Sequence, residues 1–340
     1  MKLVYINRKK IEVSQSIELY FEQVAHYLPA DIRIEQFMVN RRNQGLINRL
    51  LNIVAVLKKP KGDVYHVTGD TNYLTILLPK KKTLLTVHDI YYVYYALMSH
   101  NPIIRFIKYH LNKWLFYKLP VWRSSLITVN SEFTKKELVR ITGCTPKKIV
   151  VAYCPISPLF CSYPKVFDDK NPVILQIGVM PNKNLLRLSE ALRGIQCRLE
   201  IIGDPDEATL LALQSNQIAY ACYANLSIEN LVQKYVNCDL LVLASTFEGF
   251  GMPIIEAQRV GRPVVTSDTA AMPEVAGRGA CLVDPYSVDS IRAGIKKVIA
   301  DASYRESLVE AGTKNCEQYQ AHHVAAIYHR TYRQLTNKTT

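Results

Sequence analysis

Apolar residues along this chain keep two alternating rhythms. Short, nearly continuous apolar runs stand at residues 3–6, 64–67, 84–87, 126–129, 149–151, 173–178, 199–203, 239–244 and 263–266. Such runs predict strands buried on both faces of a parallel sheet, where no polar alternation is needed. Between them lie stretches with apolar residues three and four apart. Residues 16–28 put Ile17, Tyr20, Phe21 and Val24 on one face. Comparable patterns predict helices over 47–57, 104–117, 185–192, 229–236, 253–260, 291–299, 304–311 and 323–335. Thr134 and Glu137 have the spacing of a capping box ahead of a helix that ends near Gly143. Strand and helix alternate twice, and a proline-rich stretch without helical period, holding Pro155, Pro158, Pro164 and Pro172, separates the two series. This predicts an α/β protein with two Rossmann-like, doubly wound domains.

Charge divides the same way. Residues 1–165 carry 25 Lys and Arg against 10 Asp and Glu, a net of +15, whereas residues 166–340 carry 17 against 19. A basic first half suits a phosphate-bearing partner such as an anionic membrane surface or a lipid-diphosphate acceptor; a plain solvated face is the alternative. No nucleic-acid motif accompanies the charge, so nucleic acid is not expected as a partner. The segment 104–117 mixes Phe106, Ile107, Trp114 and Phe116 with Arg105, Lys108 and Lys113. It fits either a helix lying on a membrane surface or a core helix with a basic outer face. The eight cysteines form no C-x-x-C pair, which points to a reducing compartment. With no apolar run long enough to span a bilayer, the expected place is the cytoplasm, free or peripheral on the inner face of the membrane.

The candidate chemistry centres on residues 245–257. A glycine-containing loop with Gly249 and Gly251 joins the strand 239–244 to the helix 253–260, whose first residue is Pro253. Glycines let the backbone come close to a ligand, and the exposed N–H groups of a helix start favour an anion such as phosphate. Glu248 and Glu256 flank this tip. As carboxylates they only accept hydrogen bonds, and so fit hydroxyl groups on either side of a phosphate. That chemistry describes a nucleotide sugar. His88 follows the strand 84–87, at the strand end where open α/β sheets bind ligands. Lys183 follows the strand 173–178 and a glycine turn, in position to act as a point charge on a diphosphate. Asp204-Pro205-Asp206 imitates a metal-binding D-x-D motif, but turn and N-cap chemistry account for it.

The segment from Glu248 to Ala257 resembles the E-x7-E signature of retaining family 4 glycosyltransferases, which have the GT-B fold. Thr86 to Asp89, Asn130 to Thr134, Gly178 to Asn184 and Pro273 to Gly277 resemble further motifs of that family in the expected order. The resemblance covers roughly residues 84–335. It implies an acceptor-side domain over 1–160, a linker over 161–172 and a nucleotide-sugar-binding domain over 173–320. Residues 321–340 would form a helix returning to the first domain, and the two domains would face a central cleft. It also implies a hexosyltransferase, of mannose or glucose type, that is retaining and uses no metal or other cofactor. The donor would be a nucleoside diphosphate sugar and the acceptor a saccharide or lipid-linked sugar, in cell-surface polysaccharide synthesis. His88, Lys183 and Glu248 would be catalytic. Gly178, Lys183, Glu248, Gly249, Phe250, Gly251, Met252 and Glu256 would hold the donor: Glu256 the ribose, Glu248 the sugar, Lys183 and the N–H groups at Phe250 and Gly251 the diphosphate. Two departures stand out. Residues 7–13 lack the glycines common in the family's first loop, and Val179 stands where many relatives have arginine. A nucleotide-sugar hydrolase or epimerase and a non-catalytic membrane-associated partner remain rival readings. A nicotinamide-dependent oxidoreductase is disfavoured, because the loop lacks the third small residue of G-x-G-x-x-G.

Overall fold

A computed structural model describes residues 1–9, 16–41, 45–97 and 101–337 of the chain. It divides into two units, Met1–Pro155 with Ala321–Thr340, and Ile156–Gln320. The part of the first loop at residues 10–13, where the family's glycines are missing, lies outside the described residues.

The first unit is built on β1 (Lys2–Asn7), β2 (Arg33–Met38), β3 (Val64–Val67), β4 (Thr83–Val87), β5 (Leu126–Val129) and β6 (Ile149–Val151). These form one parallel sheet in the order β2-β1-β3-β4-β5-β6. Its helices are α1 (Ser16–His26), α2 (Leu46–Ala55), α3 (Tyr91–Leu97), α4 (Pro102–Asn112), α5 (Leu119–Arg123) and α6 (Glu132–Thr142). Every residue of β3, β4 and β5 is buried, as expected of strands covered on both faces.

The second unit holds β7 (Val173–Ile177), β8 (Arg198–Ile202), β9 (Ala219–Tyr223), β10 (Leu240–Leu243), β11 (Val264–Ser267) and β12 (Cys281–Val283). They are again all parallel, in the order β12-β11-β10-β7-β8-β9. Around them lie α7 (Leu185–Leu192), α8 (Glu207–Ser215), α9 (Ile228–Asn237), α10 (Met252–Val260), α11 (Met272–Ala276), α12 (Val288–Ala300) and α13 (Ala302–Asn315). Leu185, Leu188 and Leu192 of α7 and Ile291, Ile295 and Val298 of α12 pack with the β7, β8 and β10 side chains into one core.

The last helix, α14 (Ala321–Asn337), belongs to the first unit. Buried hydroxyls fasten it there. The Tyr328 and Tyr20 hydroxyls lie 2.9 Å apart, and the Tyr332 hydroxyl lies 2.9 Å from His66 Nδ1. His66 Nε2 is 2.7 Å from Thr86 Oγ1, which is 2.6 Å from Thr128 Oγ1. Burial holds the His66 imidazole well below its usual pKa, so it stays neutral. Buried groups paired this way are costly to leave half-satisfied, so Tyr332→Phe should lower stability by about 1–3 kcal/mol in denaturant titration. The His66 shift also sets a pH sense. Its folded pKa lies below the unfolded value, so its contribution is present above pH 6.5 and is lost as pH falls below it.

Several expectations need correction. Helix α6 is capped by Ser131, whose Oγ accepts from the Thr134 N–H at 3.0 Å, so Thr134 is not the cap. Glu137 instead takes the Tyr94 hydroxyl at 3.0 Å and the Arg140 guanidinium. The segment 104–117 is helical as expected, within a run from Pro102 to Arg123, but it widens into a π turn at Lys113–Lys118 that buries Phe116 and Tyr117. Residues 161–172 do not hang between domains but run along the second unit. The Tyr163 N–H donates to the Val260 carbonyl, Lys165 pairs with Asp239, and Phe167 lies under the Arg305 guanidinium. Strands β2, β9 and β12 were not foreseen. β2 and β9 are edge strands with mixed exposure, and β12 is only three residues long, so none shows a clear apolar run.

Candidate active site

In each sheet the chain order reverses at one place, and there neighbouring connections leave in opposite directions. In the second unit that place lies between β7 and β10. Ligands of open α/β sheets bind outside the carboxyl ends of the strands at such a point. The loop after β7 runs from Gly178 to Asn184, and the loop after β10 runs from Ala244 to Gly251.

Two asparagines lock these loops together. Asn182 donates from Nδ2 to the Phe247 carbonyl at 2.9 Å and accepts on its own carbonyl from the Thr246 N–H at 2.8 Å. Asn184 donates to the carbonyls of Ala244 at 2.9 Å and Pro285 at 2.7 Å. Its backbone is left-handed, with φ 63°, a conformation asparagine tolerates better than most residues. The loops are thereby fixed before any ligand arrives.

On that frame the Lys183 ammonium lies 2.6 Å from Glu248 Oε1. Ser245 Oγ donates to the same oxygen at 2.7 Å. Both side chains are largely buried, at 16% and 14% exposure, so the pair has a defined geometry rather than that of a loose surface contact. Gly178, with φ 86°, makes room for it. A Cβ there would come within 2.9 Å of Lys183 Cε.

Helix α10 begins beside this pair. Of the two loop glycines, Gly251 has the left-handed backbone, with φ 97°; it is the N-cap, and no side chain caps the helix. Met252 is the first helical residue. Phe250 is buried and sets its ring edge-on to Tyr319 at 5.6 Å; its side chain serves the core, and only its backbone can serve the loop. Glu256, one turn further along α10, accepts from the buried Tyr235 hydroxyl at 2.6 Å. Burial pushes the Glu256 carboxyl up to about 7, although the Tyr235 phenol and Lys183 both favour its ionised form.

In the first unit the reversal lies between β1 and β3. Arg8, just after β1, is buried and makes two ion pairs, to Glu18 of α1 at 2.9 Å and to Asp70 after β3 at 2.8 Å. Tyr5, Asn7, Arg8, Glu18, Glu22 and Gln36 line a small recess there. Asp70 has a positive φ of 50°. His88, after β4, donates from Nε2 to the Thr68 carbonyl at 2.8 Å. A Cβ on Gly69 would stand 2.7 Å from the imidazole, so the glycine is what allows His88 this position. Burial lowers the His88 pKa, against the Thr68 bond and the Asp70 carboxylate, which raise it.

Gly178, Lys183, Glu248, Gly249, Phe250, Gly251, Met252 and Glu256 therefore share the β7–β10 end of one unit, while His88 stands at the corresponding end of the other. Sequence reasoning missed Arg8, Glu18, Asp70, Asn182, Asn184, Ser245 and Tyr235 as contributors. Arg8 and Asp70 could have been noticed as charged residues just past strand ends; nothing in the sequence joins Tyr235 to Glu256. Asp206, in the imitation metal motif, caps α8 by accepting from the Thr209 N–H at 2.9 Å.

A family model described as Glycosyltransferase Family 4 matches residues 16–158, and one described as Glycosyl transferases group 1 matches residues 163–315. The O-antigen chain mannosyltransferase B of Escherichia coli is 29% identical over 289 residues, covering 77% of this chain and 72% of that protein. Among solved structures, sucrose-phosphate synthase from Thermosynechococcus elongatus matches with a TM-score of 0.79 at 16% identity, over 99% of this chain and 100% of that one. HepE from Anabaena, solved with UDP and glucose, matches with a TM-score of 0.74 at 16% identity, over 99% and 100%.

Proposed function

From a chain that belongs to the family 4 type of GT-B glycosyltransferases, we propose a retaining, metal-independent hexosyltransferase. Its donor is a nucleoside diphosphate sugar. Its acceptor is a saccharide or lipid-linked sugar in cell-surface polysaccharide synthesis. Mannose is the favoured sugar, because the E. coli relative is named as a mannosyltransferase of O-antigen chains.

The observation that carries this reading is the Lys183–Glu248 pair beside the start of α10. An ammonium has three N–H donors. One serves Glu248, which leaves donors for a phosphate oxygen. The pair thus aims Lys183 rather than occupying it. With Lys183 and Ser245 both on Oε1, the other oxygen of Glu248 is the one assigned to a hydroxyl of the transferred sugar. As the bond from the anomeric carbon to the phosphate oxygen breaks, negative charge grows on the diphosphate. Lys183 and the α10 start oppose that charge, which is how a preorganised site lowers a barrier. The acceptor oxygen attacks from the face the diphosphate leaves, and its proton passes to the departing phosphate. Glu256 takes the ribose hydroxyls.

The test is turnover with a panel of nucleotide sugars and oligosaccharide acceptors, with the product anomer read by NMR. The expected result is acceptor-dependent consumption of one donor, a product anomer matching the donor, and a rate unchanged by EDTA. An inverted anomer or an EDTA-sensitive rate overturns the mechanism. Donor consumption independent of acceptor makes the protein a hydrolase instead.

A further inference from the structure

Two helices of the first unit are built inside out. In α4 no residue is buried. Its polar edge meets the protein: Tyr109 and Asn112 are the half-buried positions, and Asn112 donates from Nδ2 to the Tyr92 carbonyl at 2.8 Å. Ile103, Ile104, Phe106, Ile107 and Leu111 are all exposed, Phe106 at 65%. At 100° per residue they share one broad face, which Trp114 of the following turn continues.

Helix α2 repeats the inversion. Its buried residue is Asn52, which exchanges hydrogen bonds with the Arg41 backbone and takes a third to the Tyr73 hydroxyl. Ile47, Leu50, Leu51 and Val54 face outward, with Leu57 just beyond the helix, and Ile47 is 74% exposed. A side chain of α2 reaches the turn that follows α4. The Arg49 guanidinium of α2 lies 4.7 Å over the ring of Phe116, four residues past the end of α4.

An outward apolar face on one helix is a curiosity; two such faces on one unit expose an apolar patch that water disfavours. The charge around the patch says what covers it. No acidic residue stands between Glu35 and Asp63, or between Asp89 and Glu132, and these stretches carry six and five Lys and Arg respectively. A second copy of the chain would bring the same positive rim against itself. An anionic bilayer takes both features at once, the apolar stripes into the acyl boundary and the cations onto the headgroups. Both tryptophans of the chain lie in this region, on the π turn after α4 and on α5, and both are exposed, Trp114 at 53% and Trp122 at 60%. Tryptophan favours the membrane interface, where its ring is buried and its N–H stays wet.

We propose that α2 and α4 dock the first unit on an anionic lipid bilayer. This deepens the proposed function, since a lipid-linked acceptor is presented at such a surface, but it stands on separate residues. Among the described residues no helix is long and apolar enough to cross a membrane.

The test uses the full chain with vesicles of phosphatidylcholine alone or mixed with phosphatidylglycerol. Sedimentation should recover the protein with the mixed vesicles only, with a blue shift of tryptophan emission and weakening at high salt. Leu50→Glu with Val54→Glu, and Ile107→Glu with Leu111→Glu, should each reduce partitioning about tenfold or more. Their thermal unfolding should stay unchanged, because all four residues are exposed. If a variant fails to fold, quenching of the unaltered chain's tryptophans by brominated lipid gives the same information. No partitioning into anionic vesicles, equal uptake by both vesicle types, or a dimer that the four substitutions dissociate without any lipid effect would overturn the proposal. Donor turnover with a soluble acceptor should survive in both variants; if turnover is absent from the unaltered chain while vesicle binding persists, the enzymatic reading fails and the docking surface stands.

Discussion

Lys183→Ala should lower kcat by about a hundredfold to a thousandfold, the usual consequence of losing one preorganised group that faces charge developing in the transition state. The loss should fall on kcat more than on KM, because the ammonium contributes most once the diphosphate starts to leave. Glu248→Gln should act through the same pair. It keeps an oxygen for a sugar hydroxyl but removes the charge that aims Lys183 across 2.6 Å. The Lys183→Ala/Glu248→Gln double variant should then be far less impaired than the product of the single effects, because each substitution already breaks the other residue's function. Steady-state kinetics on the three variants decides it. Multiplicative effects would show that the pair does not work as a unit.

Donor affinity should change with pH near neutrality, and Glu256 should be the cause. Its carboxyl is raised to about 7 by burial, and the ionised form is the much stronger acceptor for the two ribose hydroxyls. As pH falls below about 7, affinity should weaken by about tenfold per unit until another group takes over. Glu256→Gln should bind more weakly at pH 8 and show a flat profile, measurable by calorimetry with the nucleoside diphosphate. Stability moves the other way. The folded pKa lies above the ordinary 4.5, so the folded state holds the proton more tightly across that window. The contribution from this group is therefore complete below about pH 4.5 and is lost as pH rises through 7. The site gives up stability for a carboxylate that meets its ligand in a dry place.

The alternation of apolar runs and helical periods was enough to predict two doubly wound halves, because buried parallel strands such as β3, β4, β5 and β10 have no polar face to obscure the signal. The edges were less legible. In β2 the sequence Arg-Ile-Glu-Gln-Phe-Met has residues facing water, and nothing local distinguishes such a strand from a loop. The loop residues of the candidate site announced themselves through glycine, proline and acid at fixed spacing. The groups that hold them did not. Asn182 and Asn184 act on carbonyls 65 and 60 residues away, and Tyr235 reaches Glu256 from another helix. Pairings of that kind belong to the tertiary fold. The cap at Ser131 shows a smaller failure of the same sort: two serine or threonine hydroxyls stood three positions apart, and only the backbone decided which one ended the turn. Helix α4 was ambiguous for the opposite reason. Its amphipathic pattern was plain, but a pattern does not say which side faces the protein.

The fastening of α14 beneath Tyr20, His66 and Thr128 has a consequence for how the polypeptide is made. The stretch from Ile156 to Gln320 is continuous and can collapse as soon as it leaves the ribosome. Residues 1–155 must wait for α14, since their interior is closed by Tyr328 and Tyr332. Nascent protein should therefore mature out of order, with the Ile156–Gln320 body finished earlier and residues 1–155 exposed to chaperones and proteases until α14 has emerged.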